Sequence, residues 1–526
     1  MLKIGHNPVR SFCPRHDLRR SIIPSGAAYT VLFQHEIQKQ SLSRPDALRP
    51  APCRLLPIGN EVKMAYATTN PLTGEVLKTF PNATDEEVQA ALSEAHAAFE
   101  SWRDTPFAER AKIMNAAAAI LRRDIDKYAR LGTLEMGKLF TESKLEIILS
   151  AEIFEYYAKY AEELLKPETL PVANPAEGKA TLVHEPLGIV LAIEPWNFPF
   201  YQVVRIIAPQ LSAGNAVLLK HASNLPQCAA ICEDLMNEAG LPKGLFRNLY
   251  LARPHTEMIL NDPRVCGVAL TGSEGAGVII AGTAGKALKK ATMELGGADA
   301  FIVLDDADVE KAAKWAVMGR HWNAGQVCVS AKRIIVADAV YDRFLEIYRK
   351  GVSELKAGDP MDPSTSLAPL CSQGAADDLR KQVEEAKKHG AKVEAIGAPV
   401  PTKGSFFQPL LMTNLHENNE ARHWEFFGPV TQLYRAKDEA DAIRIANDSP
   451  YGLGGAVFTK DESRGARVAS KIRTGMVYIN HPLIPKADLP FGGIARSGYG
   501  RELVGLGIKE FVNHKLINIV DIDAPI

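Results

Sequence analysis

The chain has 526 residues, 46% of them apolar, enough to bury a large core and too many for one ordinary globular domain. Lys and Arg number 61 against 62 Asp and Glu, so no overall charge draws the protein to nucleic acid or an anionic membrane, and a small-molecule partner is the better expectation. Seven scattered cysteines without Cys-x-x-Cys spacing argue against a disulfide framework and against any structural metal site, and they suit a reducing, cytoplasmic compartment.

Residues 1–63 are rich in Arg and Pro, with Asp17, Glu36, Asp46 and Glu61 their only acids. A mitochondrial presequence, which would place the protein in the matrix, is arginine-rich and acid-poor, but prolines from Pro8 to Pro57 would interrupt its amphipathic helix. The composition favours an upstream start, with Met64 opening the folded protein. At Thr84 the run Thr-Asp-Glu-Glu predicts a capping box, after which Val88, Leu92, Ala95 and Phe99 share one helical face. Helical patterns continue to about Leu165.

Between Gly188 and Gly297 short apolar runs alternate with helix-length segments: Gly188–Ile193, Asn215–Lys220, Phe246–Leu251, Val265–Thr271 and Ala291–Leu295. Such runs read as strands buried on both faces, joined by right-handed crossovers into a parallel, Rossmann-like sheet. Ligands bind at the carboxyl ends of such strands, which puts a cofactor near Glu194–Asn197, Lys220–Ser223 and Gly272–Ser273. From Asp299 to about Arg501 a second α/β cycle follows, with strands predicted at Arg333–Val336 and Met476–Asn480. The runs Lys179–Glu185 and Phe511–Asp521 lie outside both cycles; they read as edge strands or as an arm pairing with another subunit. No run is apolar over the roughly 20 residues a membrane span needs.

Three residues stand out chemically. Cys328 lies in Asn323-Ala-Gly-Gln-Val-Cys328, beside a glycine that permits a tight turn; Cys13, Cys53, Cys228, Cys232, Cys266 and Cys371 have no such setting and read as fillers. Glu294 ends a predicted buried strand, where burial would raise its pKa toward general-base work. Asn197, just past another strand end, offers an N–H that could hold an oxyanion.

Together these residues and their motifs resemble the aldehyde dehydrogenase superfamily from about Ala65 to Ile519. The motifs are Pro195-Trp-Asn-Phe-Pro199, Leu270-Thr-Gly-Ser273, Glu294-Leu-Gly-Gly297, Gly325-Gln-Val-Cys328, Glu425-Phe-Phe-Gly-Pro429 and Pro490-Phe-Gly-Gly493. The resemblance implies an α/β fold with a Rossmann-like cofactor domain (64–165 and 187–296), an α/β catalytic domain (297–505) and a small β oligomerisation arm (166–186 and 506–526), assembled as a homodimer or homotetramer. It implies that Cys328 attacks an aldehyde, that Asn197 and the Cys328 N–H hold the oxyanion, and that Glu294 activates water against the thioester. For NAD or NADP it implies Lys220 at the adenosine ribose, Gly272 and Ser273 at the pyrophosphate, Glu425 at the nicotinamide ribose and Phe427 against the nicotinamide, with Trp196 and Leu295 in the same cleft.

Ser223 stands where strictly NAD-using relatives often carry Glu, so a 2′-phosphate would not be repelled. Arg205 occupies a spacing at which succinate-semialdehyde dehydrogenases bind the substrate carboxylate, with a role inside the helix bundle as the alternative. Against it, a second such arginine is replaced by Trp322, and a serine those enzymes use is missing from Pro482-Leu-Ile-Pro-Lys486. Leu219-Lys-His-Ala222, Arg496-Ser-Gly-Tyr-Gly500 and Glu510-Phe-Val-Asn513 resemble the bacterial branch with that activity, which makes succinate semialdehyde the leading substrate. The alternatives are an apolar or aromatic aldehyde in a tunnel lined by Trp322, Phe200 and Tyr201, and a non-catalytic member of the fold, which should have lost one of Asn197, Glu294 and Cys328.

Overall fold

A computed structural model of the chain describes residues 66–172, 178–415 and 417–523. The expectations for residues 1–63, Cys13 and Cys53 lie outside these. The described residues open on an antiparallel hairpin, Tyr66–Thr69 with Val76–Phe80, that the sequence pattern did not single out. Four of the five residues of its second strand are exposed, so no alternation marks it. The Thr84 box is present: Thr84 Oγ1 accepts from the Glu87 N–H at 3.2 Å, and Glu87 Oε2 accepts from the Thr84 N–H at 2.8 Å. The helix Asp85–Trp102 buries Val88, Leu92, Ala95 and Phe99. Three helices follow, Phe107–Arg123, Ile125–Met136 and Phe140–Leu164.

The five predicted strands form one parallel sheet, in the spatial order Phe246–Asn248, Ala216–His221, Ile189–Glu194, Val265–Thr271, Lys290–Glu294. Strand order reverses between Ile189–Glu194 and Val265–Thr271, and their carboxyl ends open the crevice where an α/β sheet binds its ligand. A sixth strand was not foreseen: Gly498–Tyr499 pairs antiparallel with Glu294 and Met293 at the outer edge. Residues from the far end of the second α/β cycle thus complete the first sheet.

The second sheet has seven strands in the order Lys392–Ala395, Leu410–Thr413, Val430–Ala436, Arg333–Ala337, Ala300–Val303, Gly455–Phe458, Tyr478–Ile479, parallel except for the first pair. Its last strand is shorter than Met476–Asn480, because the Gly475 and Met476 N–H groups donate instead to the Gly452 and Leu453 carbonyls. Lys179–Pro186 and Val512–Ile519 pair with each other along their whole length, with Glu168–Leu170 on the other side. Among the described residues no helix is long and apolar enough to cross a membrane.

The helix Tyr201–Ala213, which starts just past Asn197, is buried at every position. Its polar side chains must therefore find partners inside the protein. Gln202 reaches back to Asn197 and Gln210 reaches the Gly507 carbonyl.

Candidate active site

The segment before Cys328 turns sharply. Asn323 and Ala324 have φ of 51° and 52° and Gly325 has 77°, three successive left-handed residues of which only the glycine adopts that form freely. Side chains hold the turn. Asn323 Nδ2 donates to the Asn197 carbonyl at 3.0 Å and the Gln326 carbonyl at 3.3 Å, while the Asn323 N–H donates to Glu142 at 3.1 Å. The buried Arg320 donates to the carbonyls of Val430, Phe426 and Gly325 and to Ser330 Oγ.

This turn brings the three candidate residues together. Asn197 Nδ2 donates to the Gln326 carbonyl at 3.0 Å, two residues before Cys328, and Gln202 Nε2 donates to Asn197 Oδ1 at 2.9 Å. The amide orientation is thereby set, and one of its two N–H groups remains for a reacting oxygen. The Cys328 carbonyl packs on Gly297, where a Cβ would stand 2.8 Å from it. That contact explains the last glycine of Glu294-Leu-Gly-Gly297.

Burial pushes the Cys328 thiol up to about 12, opposed by the charges of Lys332 and Arg205 and reinforced by Glu294 and Glu425. The resting thiol is therefore protonated and needs a base. Glu294 is 2% exposed and neither carboxylate oxygen has a hydrogen-bond partner. Burial raises it to about 7, against the pull of Arg205 and Arg501. An unpartnered buried carboxyl is costly to a fold, and a pKa near neutrality suits it to proton transfer.

The cofactor-side residues surround the sheet's crevice. Lys220 is the penultimate residue of the Ala216–His221 strand; burial lowers its pKa, and Arg253 lowers it further. Ser223, whose carbonyl accepts from the Ala67 N–H at 3.0 Å, follows on the same loop. Two cations and a neutral serine fit a 2′-phosphate. Ser273 caps the helix Glu274–Lys286, accepting from the Ala276 N–H at 3.3 Å, and the Gly272 N–H is already given to the Glu294 carbonyl. The exposed start of that helix suits a pyrophosphate. Leu295 packs on Gly277 of the same helix. Trp196 and Phe427 meet edge to face at 5.6 Å, and Glu425 Oε1 accepts from the Gly297 N–H at 3.0 Å.

The sequence profile of the aldehyde dehydrogenase family matches residues 59–517. The chain belongs to that family. It is 48% identical over 452 residues to the succinate-semialdehyde dehydrogenase (NADP(+)) of Deinococcus radiodurans, covering 86% of this chain and 94% of the relative. It is 44% identical to succinate-semialdehyde dehydrogenase (NADP(+)) 1 of Mycobacterium ulcerans, covering 86% and 99%. Succinic semialdehyde dehydrogenase from Streptococcus pyogenes, solved in complex with NADP+, superposes with a TM-score of 0.85 at 46% identity, covering 87% of this chain and all of that one. The fold is that of the aldehyde dehydrogenases, as the motifs implied.

In this aldehyde dehydrogenase the Arg205 side chain is drawn into the interior. Its guanidinium is 1% exposed, ion-paired with the buried Glu502, and donates to Tyr201 Oη at 3.2 Å and Thr271 Oγ1 at 3.0 Å. The rings of Tyr201 and Phe491 lie 4.9 and 4.7 Å from it. These contacts fit the second of its two readings, a role inside the bundle. Phe200 and Tyr201 are buried likewise, whereas Trp322 stays partly open and meets Phe198 edge to face at 5.2 Å.

Several neighbours escaped sequence reasoning. Glu194 ends the strand beside Thr271 and is buried; burial pushes it well up, Arg205 and the Thr271 hydroxyl pull it down and Glu294 adds to the rise. Arg205 thus faces three carboxyl groups, Glu194, Glu294 and Glu502. Arg253 and Lys332 were missed as well. Burial pushes up Cys228, Cys232, Cys266 and Cys371 as it does Cys328, so this shift alone does not set the other cysteines apart from it.

Proposed function

We propose that the protein oxidises succinate semialdehyde to succinate with NADP+, through a thioester on Cys328. The observation that carries the chemistry is the Asn197 amide bonded to the Gln326 carbonyl, which sets an N–H donor beside the Cys328 loop while the unpartnered Glu294 carboxyl shares the thiol's surroundings. The substrate and cofactor are supported by what the most similar relatives are named for.

Glu294 takes the thiol proton, and the thiolate forms a bond to the aldehyde carbon. The free N–H of Asn197 and the Cys328 N–H hold the resulting oxyanion, worth roughly 3 kcal/mol per donor at such sites. Bound NADP+ supplies the hydride acceptor. Collapse of the oxyanion leaves the thioester on Cys328. Glu294, its first proton returned to solvent, then takes one from water, and the hydroxide releases the acid and the free thiol. NAD or NADP would be held by Lys220, Ser223 and Arg253 at the adenosine end, by Gly272, Ser273 and Leu295 midway, and by Glu425, Trp196 and Phe427 at the nicotinamide.

The cation pair yields a prediction. Ser223→Glu would set a carboxylate beside Lys220 and lower kcat/KM for NADP+ by roughly 10- to 100-fold, with NAD+ little affected. Equal losses with both cofactors would show that the 2′-phosphate binds elsewhere.

A second reading, an apolar or aromatic aldehyde, is favoured by the Trp322–Phe198 wall and by the burial of Arg205. Steady-state kinetics on succinate semialdehyde, hexanal and benzaldehyde with both cofactors decide between them; a higher kcat/KM for hexanal would sink the first. We also infer the division into cofactor-binding (64–165, 187–296), catalytic (297–505) and arm (166–186, 506–526) regions. The arm is read as the contact of a homodimer or homotetramer, since Val512–Ile519 is an outer strand exposing Leu516, Ile517 and Ile519. Light scattering that returned a monomer mass would overturn that assembly.

A further inference from the structure

Lys332 lies four residues after Cys328, just before the strand Arg333–Ala337, and its side chain is 2% exposed. Its ammonium has three donors and three oxygens receive them: the Val327 carbonyl at 2.7 Å, the Cys328 carbonyl at 2.6 Å and Glu425 Oε1 at 3.1 Å. The Phe427 ring lies 5.6 Å away. One buried cation therefore bonds the backbone at the thiol and the carboxylate assigned to the nicotinamide ribose. The mechanism above leaves it without a role.

We propose that Lys332 is a positioning residue that couples Glu425 to the Cys328 loop, so that engagement of Glu425 by the cofactor frees positive charge for the thiolate. The proposal rests on reading Cys328 as the nucleophile and Glu425 as the ribose ligand. The bonds to two successive carbonyls fix the peptide that precedes the thiol and the one that follows it, which also orients the Cys328 N–H. The charges facing the thiol are Lys332 and Arg205, which favour the thiolate, and Glu294 and Glu425, which oppose it. Those facing Lys332 are Glu425 and Asp299. Glu425 spends its charge on Lys332 and the Gly297 N–H through a single oxygen. Turned toward ribose hydroxyls, the carboxylate neutralises Lys332 less, and the thiol loses its proton more readily. The nucleophile is thus readied when the hydride acceptor is in place.

The test is alkylation of Cys328 by iodoacetamide, in which the thiolate displaces iodide, followed on the Cys328 peptide by mass spectrometry across pH with and without NADP+. Lys332→Met is expected to slow alkylation about tenfold at neutral pH and to move its pH dependence up by about one unit. Lys332→Arg, which keeps the charge, restores most of the rate. Glu425→Gln is expected to speed alkylation of the cofactor-free enzyme and to abolish the acceleration that NADP+ gives the wild type. An unchanged pH dependence in a Lys332→Met protein with native thermal unfolding would overturn the proposal, and so would slower alkylation in Glu425→Gln, a measurement that stands even if Lys332→Met fails to fold. Should alkylation of wild-type Cys328 leave turnover intact, the reading of Cys328 as nucleophile fails instead.

Discussion

Cys328→Ser is expected to lower aldehyde-dependent NADPH formation by at least about 10³-fold while leaving the fold and cofactor binding intact. A hydroxyl is a weaker nucleophile than a thiol and holds its proton several units more tightly, so Glu294 with a pKa of about 7 can no longer prepare it. The loop would survive the change, because the contacts that hold it belong to Asn323, Gln326, Arg320 and Lys332 and not to the sulfur. Absorbance of the reduced nicotinamide measures the loss, and fluorescence titration with NADP+ checks that binding persists. A serine enzyme within about tenfold of the wild type would mean that no thioester forms on this residue.

Glu294→Gln removes the base that serves both halves of the reaction. An amide can take a proton from neither the thiol nor water, so turnover, read as NADPH formation, should fall by roughly 10²- to 10⁴-fold. The pH dependence has a definite sign. Glu294 works as the ionised base, and burial lifts its pKa to about 7, so wild-type kcat should fall as the pH drops through that value. The glutamine enzyme should lose this acid limb. If the limb persisted unchanged, the titration would belong to another group, and Glu194, buried beside Arg205, would be the first to examine.

Local signals carried much of this structure in the sequence. Thr84 and Glu87 stand three residues apart in sequence and bond as their spacing implied. Each parallel strand of the first sheet wrote its own apolar run, with observed limits within a few residues of the expected ones, whereas Ala300–Val303, Val430–Ala436 and Gly455–Phe458 of the second were not singled out. What stayed hidden depends on distant partners. Arg205 kept two readings, a substrate anchor by its spacing and a role inside the bundle, because its counter-ion, Glu502, lies nearly three hundred positions away. Gly498–Tyr499 is two residues long, too short to show a period, and its place follows only from the partner strand. Lys332 did leave a trace: with Arg333 it interrupts an otherwise uncharged stretch from Val327 to Val336, in front of a fully buried strand. A charge in that position has to be bonded inside, and here it is bonded to the chemistry.

The short strand Gly498–Tyr499 bears on how the chain is synthesised. The edge of Lys290–Glu294 stays bare until residues some two hundred positions later leave the ribosome, so the first sheet cannot close as translation passes its own last strand. A nascent chain must shelter that edge in the meantime. Truncation before Gly498 would leave it open for good, with Glu294 on an unpaired margin, and such fragments should aggregate instead of persisting as a free cofactor domain.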